Sequence, residues 1–405
     1  PDTVTEIGDS AFANTNLNSI TIPDSVTQIG KYAFGGSKLE SIRIPDTVTD
    51  IGDNAFNGCT ELKDVTLPNI RKNIVAGMFE GCTSLEKIVL PETVTAIRSG
   101  AFTGCTALKD ITWSKALETI ESYAFQNCSA LTDVTIPDSV KSIGYGVFSD
   151  CSALSTVMIP GTVKTIGSEA FRNCDALTTV TIPDSVTSYG SQMFYDCDAL
   201  TTVKLGSGMK TIPESMFEHC DVLTNLSVPR CVTSIGNNAF KDCTKFTSVT
   251  IPRSVTSISA SAFSYPAILT IYGVAGTYAE TFAKENSIKF VDQQIKATAA
   301  SLDKTELTIN KGAAAQLNLS VTPENFTDPV TWKTTDDKVV TISYSGEVKA
   351  VGVGTATIKV VVGDVSASCK VTVLQPVTGI NLNKSSLTMD ALGTFQMTAS
   401  VYPGG

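Results

Sequence analysis

Residues 137–159 read PDSVKSIGYGVFSDCSALSTVMI, and this stretch decides the fold because its pattern recurs along most of the chain. The recurring features are a proline, a V-T-x-I-G segment, an A-F pair, a cysteine and an L-x-x-V-x-I segment. Successive copies are 22 residues apart twice and then 23 residues apart nine times. The copies are marked by Phe12, Phe34, Phe56, Phe79, Phe102, Phe125, Phe148, Phe171, Phe194, Phe217, Phe240 and Phe263. Such a period predicts a solenoid in which each copy forms one coil.

Each repeat has too few apolar residues to enclose a core alone, so neighbouring coils must share one. In the segment 131–136, LTDVTI, alternation directs the valine and the isoleucine inward and Asp133 and Thr135 outward. Pro137 ends this strand because proline has no N–H to donate to a ladder. Residues 140–143 form a second short extended piece. The repeat therefore predicts a mainly β solenoid with a parallel sheet.

Composition argues against several classes of function. The 405 residues include 30 Lys and Arg against 40 Asp and Glu, giving a net charge of −10, and no basic block stands out. Nucleic acid and anionic membranes are therefore unsuitable partners. The chain has one histidine, which argues against a Ser-His-Asp triad or a multi-histidine metal site. It also has no apolar run long enough to cross a membrane. We therefore expect no enzyme, no catalytic residues and no cofactor.

The last coil should carry a cap, because an open solenoid exposes its final apolar layer. Thr277-Tyr278-Ala279-Glu280 matches a capping box, and Asn286 is a suitable helix end. We expect a short helix within a cap at about residues 275–292, so that the first domain spans residues 1–292.

From Ile295 the period disappears, and short β-branched segments separated by Gly, Pro and Asp follow. Their spacing predicts a β-sandwich over residues 295–374. A second copy begins at residues 377–405 and stops after its first strands, so we expect the chain to be a fragment. Four of its residues stand 80 positions after their counterparts in the first copy: Leu382, Lys384, Leu387 and Pro403.

These motifs resemble two known families. The L-x-x-V-x-I strand followed by proline, with the A-F-x-x-C turn, is similar over residues 1–292 to the leucine-rich repeats of BspA-like (Treponema-type) bacterial surface proteins. Trp113-Ser114 and Gly206 depart from the pattern, where Ile-Pro and Pro are expected. Residues 295–374 resemble the group-2 bacterial immunoglobulin-like domain. The resemblance implies a leucine-rich-repeat solenoid of 12 coils of 22–23 residues with a capping helix, followed by an immunoglobulin-like β-sandwich.

Nine cysteines recur at a spacing of 23, which raises disulfides and metal binding as alternatives. Equivalent side chains of neighbouring coils hold their Cβ atoms about 5 Å apart, whereas a disulfide prefers about 3.8 Å. Zinc needs converging ligands such as a C-x-x-C pair, and the sequence has none. We therefore predict a ladder of buried free thiols at Cys59, Cys82, Cys105, Cys128, Cys151, Cys174, Cys197, Cys220 and Cys243.

Five further residues are assigned structural roles. His219 stands in a column of Gly, Asn and Asp, which indicates a surface turn residue in preference to a metal ligand. Cys231 lies off the ladder and should be partly exposed, whereas Cys369 should lie in the sandwich core. Trp113 and Trp332 are interpreted as packing residues.

The outward columns of the strands are the candidate binding surface, because repeat proteins bind partners on extended faces. The columns hold mainly Ser and Thr, so the larger or charged members should provide the contacts. A solvated face with no ligand is the alternative interpretation. The candidate residues are Asp64, Lys87, Asp110, Asp133, Met158 and Lys204, with Tyr195 as a further candidate on another edge, near the cysteine turn.

Three hypotheses for the function remain open. The resemblance to BspA-like proteins implies a monomeric recognition protein, at the bacterial cell surface or secreted, that adheres to a protein or glycan ligand, host extracellular matrix or other cells. The immunoglobulin-like modules would then be a spacer. The alternatives are a passive stalk or surface-layer component, and an accessory region of a larger carbohydrate-active enzyme.

Overall fold

The computed structural model describes residues 3–69, 72–264, 267–323, 326–389 and 394–403. It divides into two units, residues 1–292 and residues 293–405. The first unit is built from very short strands because a proline or a turn interrupts the chain after every few residues. In chain order its strands are β1 (Glu6–Ile7), β2 (Gln28–Ile29), β3 (Ser41–Arg43), β4 (Asp50–Ile51), β5 (Asp64–Thr66), β6 (Asn73–Ile74), β7 (Lys87–Val89), β8 (Ala96–Ile97), β9 (Asp110–Thr112), β10 (Thr119–Ile120), β11 (Asp133–Thr135), β12 (Ser142–Ile143), β13 (Thr156–Met158), β14 (Thr165–Ile166), β15 (Thr179–Thr181), β16 (Ser188–Tyr189), β17 (Thr202–Lys204), β18 (Thr211–Ile212), β19 (Asn225–Ser227), β20 (Ser234–Ile235), β21 (Ser248–Thr250), β22 (Ser257–Ile258), β23 (Thr270–Gly273) and β24 (Lys289–Asp292).

These strands form two parallel ladders along the solenoid. One ladder consists of the sheets β3-β5, β7-β9, β11-β13-β15-β17 and β19-β21-β23-β24. The other consists of the sheets β1-β2-β4, β6-β8-β10-β12-β14-β16 and β18-β20-β22. Within each of these sheets, neighbouring strands pair through equivalent residues of successive coils, as Asp133 does with Thr156 and Thr119 with Ser142. The predicted mainly β solenoid, with a strand and a second extended piece in each coil, is confirmed.

The third side of each coil is a turn around the periodic phenylalanine. In the first eleven coils, the residues two before and two after the phenylalanine have φ between 52° and 72°. This left-handed region is accessible mainly to Gly, Asn and Asp. His219 has φ 63° at such a position, which explains its column and confirms it as a turn residue.

The core is a stack of phenylalanine rings. Consecutive rings from Phe12 to Phe263 have centroids 5.1–5.7 Å apart and interplanar angles of 19° or less. The ten inner rings are buried, whereas Phe12 and Phe263 at the two ends are half-buried. Trp113 packs edge-on against Phe125, which confirms its packing role.

The end of the stack is covered by helix α1 (Tyr278–Glu285) and β24. The helix buries Ala279, Phe282 and Ala283 and ends at Asn286, as predicted. The predicted capping box is wrong in detail: the Thr277 hydroxyl donates to the carbonyl of Val274, and Glu280 accepts from the N–H of Gly276. The threonine thus satisfies a carbonyl of the preceding turn and leaves the helix N–H groups without a side-chain cap.

The second unit is a β-sandwich. Its strands are β25 (Ala299–Leu302), β26 (Glu306–Asn310), β27 (Ala314–Gln316), β28 (Leu319–Thr322), β29 (Val330–Thr334), β30 (Val340–Ile342), β31 (Glu347–Ala350), β32 (Gly354–Val362), β33 (Val365–Leu374), β34 (Val377–Leu382) and β35 (Ala399–Pro403). The sheets are β26-β33-β32-β29, β27-β31-β30, β25-β28 and β34-β35. Cys369 is buried in the core and Trp332 packs against it, as predicted.

Gly190 lies where the backbones of two neighbouring coils approach each other closely. A Cβ on Gly190 would lie 1.9 Å from the backbone nitrogen of Ser168 in the preceding coil, whereas a Cβ on Gly161 would meet nothing within 4 Å. We expect Gly190→Ala to lower the free energy of unfolding by about 1–3 kcal/mol, because backbone atoms must move apart. Gly161→Ala, the matched control, should leave it unchanged in urea denaturation. Equal effects of the two substitutions would contradict the close packing.

Candidate recognition surfaces

The outward side chains of the odd-numbered strands β3–β21 form the first candidate surface, here called the sheet face. The middle residue of each strand points inward, and the flanking residues are exposed in nearly every strand. Six candidates from the sequence lie on this face, all exposed: Asp64, Lys87, Asp110, Asp133, Met158 and Lys204.

Three of these candidates form a line of alternating charge. Lys87 lies in register with Asp110 of the next strand, and its Nζ is 4.0 Å from Oδ1 of Asp64. The side chains of the Lys87–Asp64 pair are about two-thirds exposed, so the pair contributes little to stability. Such charges remain available to a partner, where they set orientation and association rate.

Two apolar side chains are also exposed on the sheet face. Met158 is 61% exposed, and Val89, which the sequence analysis did not select, is 56% exposed. Both occupy a column that elsewhere holds Thr, Ser, Lys or Arg. An apolar residue in that column is the sequence signal that would have identified Val89.

Tyr195 lies on the turns, away from the strands of the sheet face. Arg172 lies over its ring at 5.2 Å from the centroid, and His219 meets it edge-on at 5.4 Å. Nη1 of Arg172 is also 3.4 Å from Oε2 of Glu169. The other carboxylate oxygen of Glu169 accepts a hydrogen bond from the Tyr145 hydroxyl. We call this chain of contacts the turn ridge; its members are Tyr123, Tyr145, Glu169, Arg172, Tyr195, His219, Glu218 and Lys241.

Among the described residues, Glu218, His219 and Asp242 form a group whose ligand atoms lie within 4.8 Å of one another. Lys241 places its Nζ 2.7 Å from Oε1 of Glu218 and 3.7 Å from Oδ2 of Asp242. The lysine ammonium therefore already neutralises the carboxylates that a metal ion would need. This contact accounts for the group as an ion-pair network between neighbouring turns.

The periodic cysteines form the predicted ladder of free thiols. Each thiol donates to the carbonyl oxygen of the phenylalanine of the preceding coil, at 2.9–3.3 Å. In the second coil, which lacks the cysteine, the buried Ser37 takes its place, 3.4 Å from the sulfur of Cys59. Ser37 stands three residues after Phe34, as Cys59 stands three residues after Phe56, so the spacing from the phenylalanine is the sequence signal that would have identified it.

Burial makes the ladder thiols unreactive. It raises the pKa of Cys105, Cys151 and Cys197 to about 12 from an ordinary 9.0. At pH 8 roughly one such thiol in ten thousand is the reactive thiolate. We expect iodoacetamide to leave the ladder unmodified in the native chain, with the half-buried Cys231 reacting first, and to modify all 11 cysteines after unfolding without reductant. Mass spectrometry would count the adducts; fewer than 11 after unfolding would contradict free thiols.

In the described residues, no helix combines the length and the apolar character needed to cross a membrane. Together, the stacked coils and the two parallel ladders define a leucine-rich-repeat solenoid.

The comparisons with known proteins agree with this class. The BspA type leucine rich repeat region matches at residues 1–109, 72–198 and 147–270, and the group-2 bacterial Ig-like domain matches at residues 296–373. The chain belongs to the BspA-type leucine-rich-repeat family and carries a bacterial Ig-like domain, as the resemblance in the sequence indicated.

The chain is also similar to solved structures. A leucine-rich repeat protein from Bacteroides ovatus is 32% identical with a TM-score of 0.66, covering 73% of this chain and 76% of that one. A leucine rich cell surface protein from Faecalibacterium prausnitzii is 31% identical with a TM-score of 0.47, covering 69% and 85%.

Two curated relatives are much longer than this chain. An uncharacterised protein of Clostridium acetobutylicum is 31% identical over 132 residues, which are 32% of this chain and 13% of that protein. Lacto-N-biosidase of Bifidobacterium bifidum is 41% identical over 70 residues, which are 17% of this chain and 6% of the enzyme. The similarity to the enzyme therefore covers a small part of either protein.

Proposed function

We propose that this chain is a non-catalytic recognition protein, secreted or at the bacterial cell surface, that binds a protein or glycan ligand as a monomer. Host extracellular-matrix proteins and the surfaces of other cells are the proposed targets. The observation that carries the proposal is the sheet face, which exposes charged and apolar side chains on consecutive parallel strands. Its family supports the location.

In this proposal, the two parts of the chain have separate roles. Residues 1–292 present the ligand-binding surface, with residues 275–292 as its cap. The immunoglobulin-like domain at residues 295–374 and the second copy that begins at residues 377–405 act as a spacer. The proposed contacts on the sheet face are made by Asp64, Lys87, Asp110, Asp133, Met158 and Lys204, with Tyr195 as a further contact on the turns.

The test is binding of the full chain to an array of matrix proteins and glycans, followed by titration of each positive. We expect saturable binding, weakened at least about tenfold by Asp133→Ala with Lys204→Ala, because a few contacts carry most binding energy. The matched control is Asp50→Ala with Lys164→Ala, which removes the same residue types from exposed positions on the other side of the coils. It should bind like the unaltered chain.

Two results would count against this function. Binding that the control pair weakens as much as the sheet-face pair would place the site elsewhere. Absence of saturable binding across the array would favour a passive stalk or surface-layer component.

The local similarity to Lacto-N-biosidase favours one further candidate, an accessory region of a larger carbohydrate-active enzyme. The complete sequence of the gene product tests it, because a catalytic domain in the same polypeptide would support it.

A further inference from the structure

Both parallel ladders of the solenoid are interrupted together between the ninth and the tenth coil, a boundary here called the joint. The ninth coil, residues 183–205, contributes β16 and β17, and the tenth, residues 206–228, contributes β18 and β19. No strand of the ninth coil pairs with a strand of the tenth, and every residue of both coils is described. The ladders also break together between the third and the fourth coil, but there residues 70 and 71 lie outside the described residues.

A proline at the joint removes one bond of the even-numbered ladder. In the same column, the N–H groups of Gly190 and Gly236 each donate to a carbonyl of the preceding coil at 2.9 Å. The tenth coil has Pro213 in this column, and proline has no N–H to donate. The backbone bond that these neighbours form three residues earlier is also absent between Lys210 and Thr187 in this fully described segment. The joint therefore lacks the backbone bonds that connect coils eight and nine, and coils ten and eleven, on this side.

Two further substitutions remove a side-chain bond at the same corner. In the eighth and ninth coils, the hydroxyls of Thr162 and Ser185 donate to a valine carbonyl of the preceding coil, at 2.9 and 2.8 Å. Gly208 occupies this position in the tenth coil and has no side chain to donate. The carbonyl of Val186, which would be its acceptor, instead accepts from the hydroxyl of Tyr189 in its own coil. Tyr189 stands where neighbouring coils have isoleucine, so a bond that elsewhere links two coils is made within one.

The turn side still connects the two coils. The N–H of Phe194 donates to the carbonyl of Met216 at 3.0 Å, with equivalent bonds two residues before and after it. The rings of Phe194 and Phe217 stack with centroids 5.7 Å apart. At the opposite corner, an exposed bond joins the N–H of Ser207 to Oδ1 of Asp184 at 2.7 Å. A continuous connection on one side, beside two sides without strand pairing, allows the coils to rotate about the connected side.

The core limits the size of this rotation. Met209 and Ile212 are fully buried beside the joint. Wide separation of the coils would expose these apolar side chains to water and is disfavoured. The rotation is therefore a small change in angle that keeps the phenylalanine rings stacked.

We propose that the joint is a hinge, at which residues 72–205 and residues 206–292 change their angle about the turn side. The residues that produce it are Tyr189, Gly208 and Pro213. The hinge divides the sheet face between β17 and β19, so it sets the spacing between the exposed side chains of Lys204 and Asn225. A partner that contacts both strands would select one angle. The proposal goes beyond the function proposed above and does not depend on it, because the hinge is a property of the free chain.

The experiment measures distances between pairs of nitroxide spin labels by pulsed electron paramagnetic resonance. It uses the full chain with Cys231→Ser, because the other cysteines are buried. One labelled pair, Lys164→Cys with Thr256→Cys, spans the joint. The matched control pair, Lys72→Cys with Lys164→Cys, spans the same number of coils in the same column within the continuous ladder from β6 to β16. All three positions are exposed. Four coils place the labels of each pair about 19 Å apart.

We expect the distance distribution of the pair that spans the joint to be at least about twofold wider than that of the control pair. Tyr189→Ile with Pro213→Gly restores the residue types of the neighbouring coils. These substitutions should narrow the distribution across the joint to the width of the control pair and leave the control pair unchanged. Circular dichroism confirms that each labelled variant is folded.

Equal widths of the two pairs before the restoring substitutions would overturn the hinge. A distribution that stays wide after them would overturn its assignment to Tyr189 and Pro213. Hydrogen exchange of the unmodified chain, followed by mass spectrometry, is an independent readout that needs no variant. The amide of Lys210 should exchange at least about 100-fold faster than that of Thr187, which donates to Lys164. Equal protection of the two amides would show a continuous ladder in solution and would also contradict the hinge.

Discussion

Raising the pH from 8 to about 10.5 should unfold the repeat unit cooperatively. Burial raises the pKa of the ladder thiols, to about 12 for Cys105, Cys151, Cys197 and Cys243, whereas an unfolded thiol titrates near 9.0. Below pH 9 both states are protonated, and the stability that the buried thiols contribute is fully present. Between pH 9 and 12 the ladder thiols lose their protons in the unfolded chain but keep them in the folded chain. Their contribution to the free energy of unfolding therefore falls as the pH rises.

The expected effect is large because it is repeated in nine coils. At pH 10 each thiol whose pKa is about 12 costs about 1.4 kcal/mol, so that the four with this value cost about 6 kcal/mol, a large share of the whole stability of many domains, and the other ladder thiols add to this cost. Urea denaturation followed by circular dichroism at a series of pH values would measure the slope. It should be close to zero from pH 7 to 8 and steepest above pH 9.5.

A variant with fewer thiols provides the control. Cys105→Ala, Cys128→Ala and Cys151→Ala together should lower stability at pH 7.5, because the thiols fill space in the core. Their removal should also reduce the slope above pH 9.5 by about 4 kcal/mol per pH unit. A slope unchanged by the triple substitution would show that other groups drive the alkaline transition.

Phe148→Ala should lower the free energy of unfolding at pH 7.5 by about 3–5 kcal/mol. The ring is fully buried and stacked between Phe125 and Phe171, with centroids 5.6 and 5.7 Å away. Its removal leaves a cavity that the neighbouring coils cannot close, because their spacing is fixed by the parallel ladders on either side.

The same substitution at the end of the stack is the matched control. Phe12 is half-buried and, within the described part of the chain, stacks only on Phe34, at 5.3 Å. Phe12→Ala should therefore cost about half as much as Phe148→Ala in the same denaturation experiment. Equal losses at the two positions would contradict a spine whose energy comes from burial on both faces.

The sequence predicted those features that recur in every coil. Twelve copies of one pattern establish the period, so the inward direction of Val134 and the burial of Phe148 could be predicted from alternation and spacing. The thiol ladder could also be predicted, because neighbouring coils hold equivalent cysteines too far apart for a disulfide. Repetition averages out the local exceptions that weaken predictions from a single segment.

The features that could not be predicted depend on contacts between residues without a shared pattern. The turn ridge joins Glu169 and Arg172 of one coil to Tyr195 of the next, and the residue types at these positions differ from coil to coil. The Thr277 hydroxyl donates to the carbonyl of Val274, a contact that depends on the path of the preceding turn and that the capping-box pattern does not contain.

The left-handed backbone of the turns restricts which mutations the protein can accept as it adapts to new ligands. A β-branched residue two positions after the phenylalanine is strained, so exchanges there are limited largely to Gly, Asn, Asp and the occasional histidine. The residue directly after the phenylalanine has no such restriction and already varies, as Glu80, Gln126, Arg172 and Tyr195 show. Natural diversification of the turn surface should therefore concentrate at the residue directly after the phenylalanine, while the backbone that supports it remains constant.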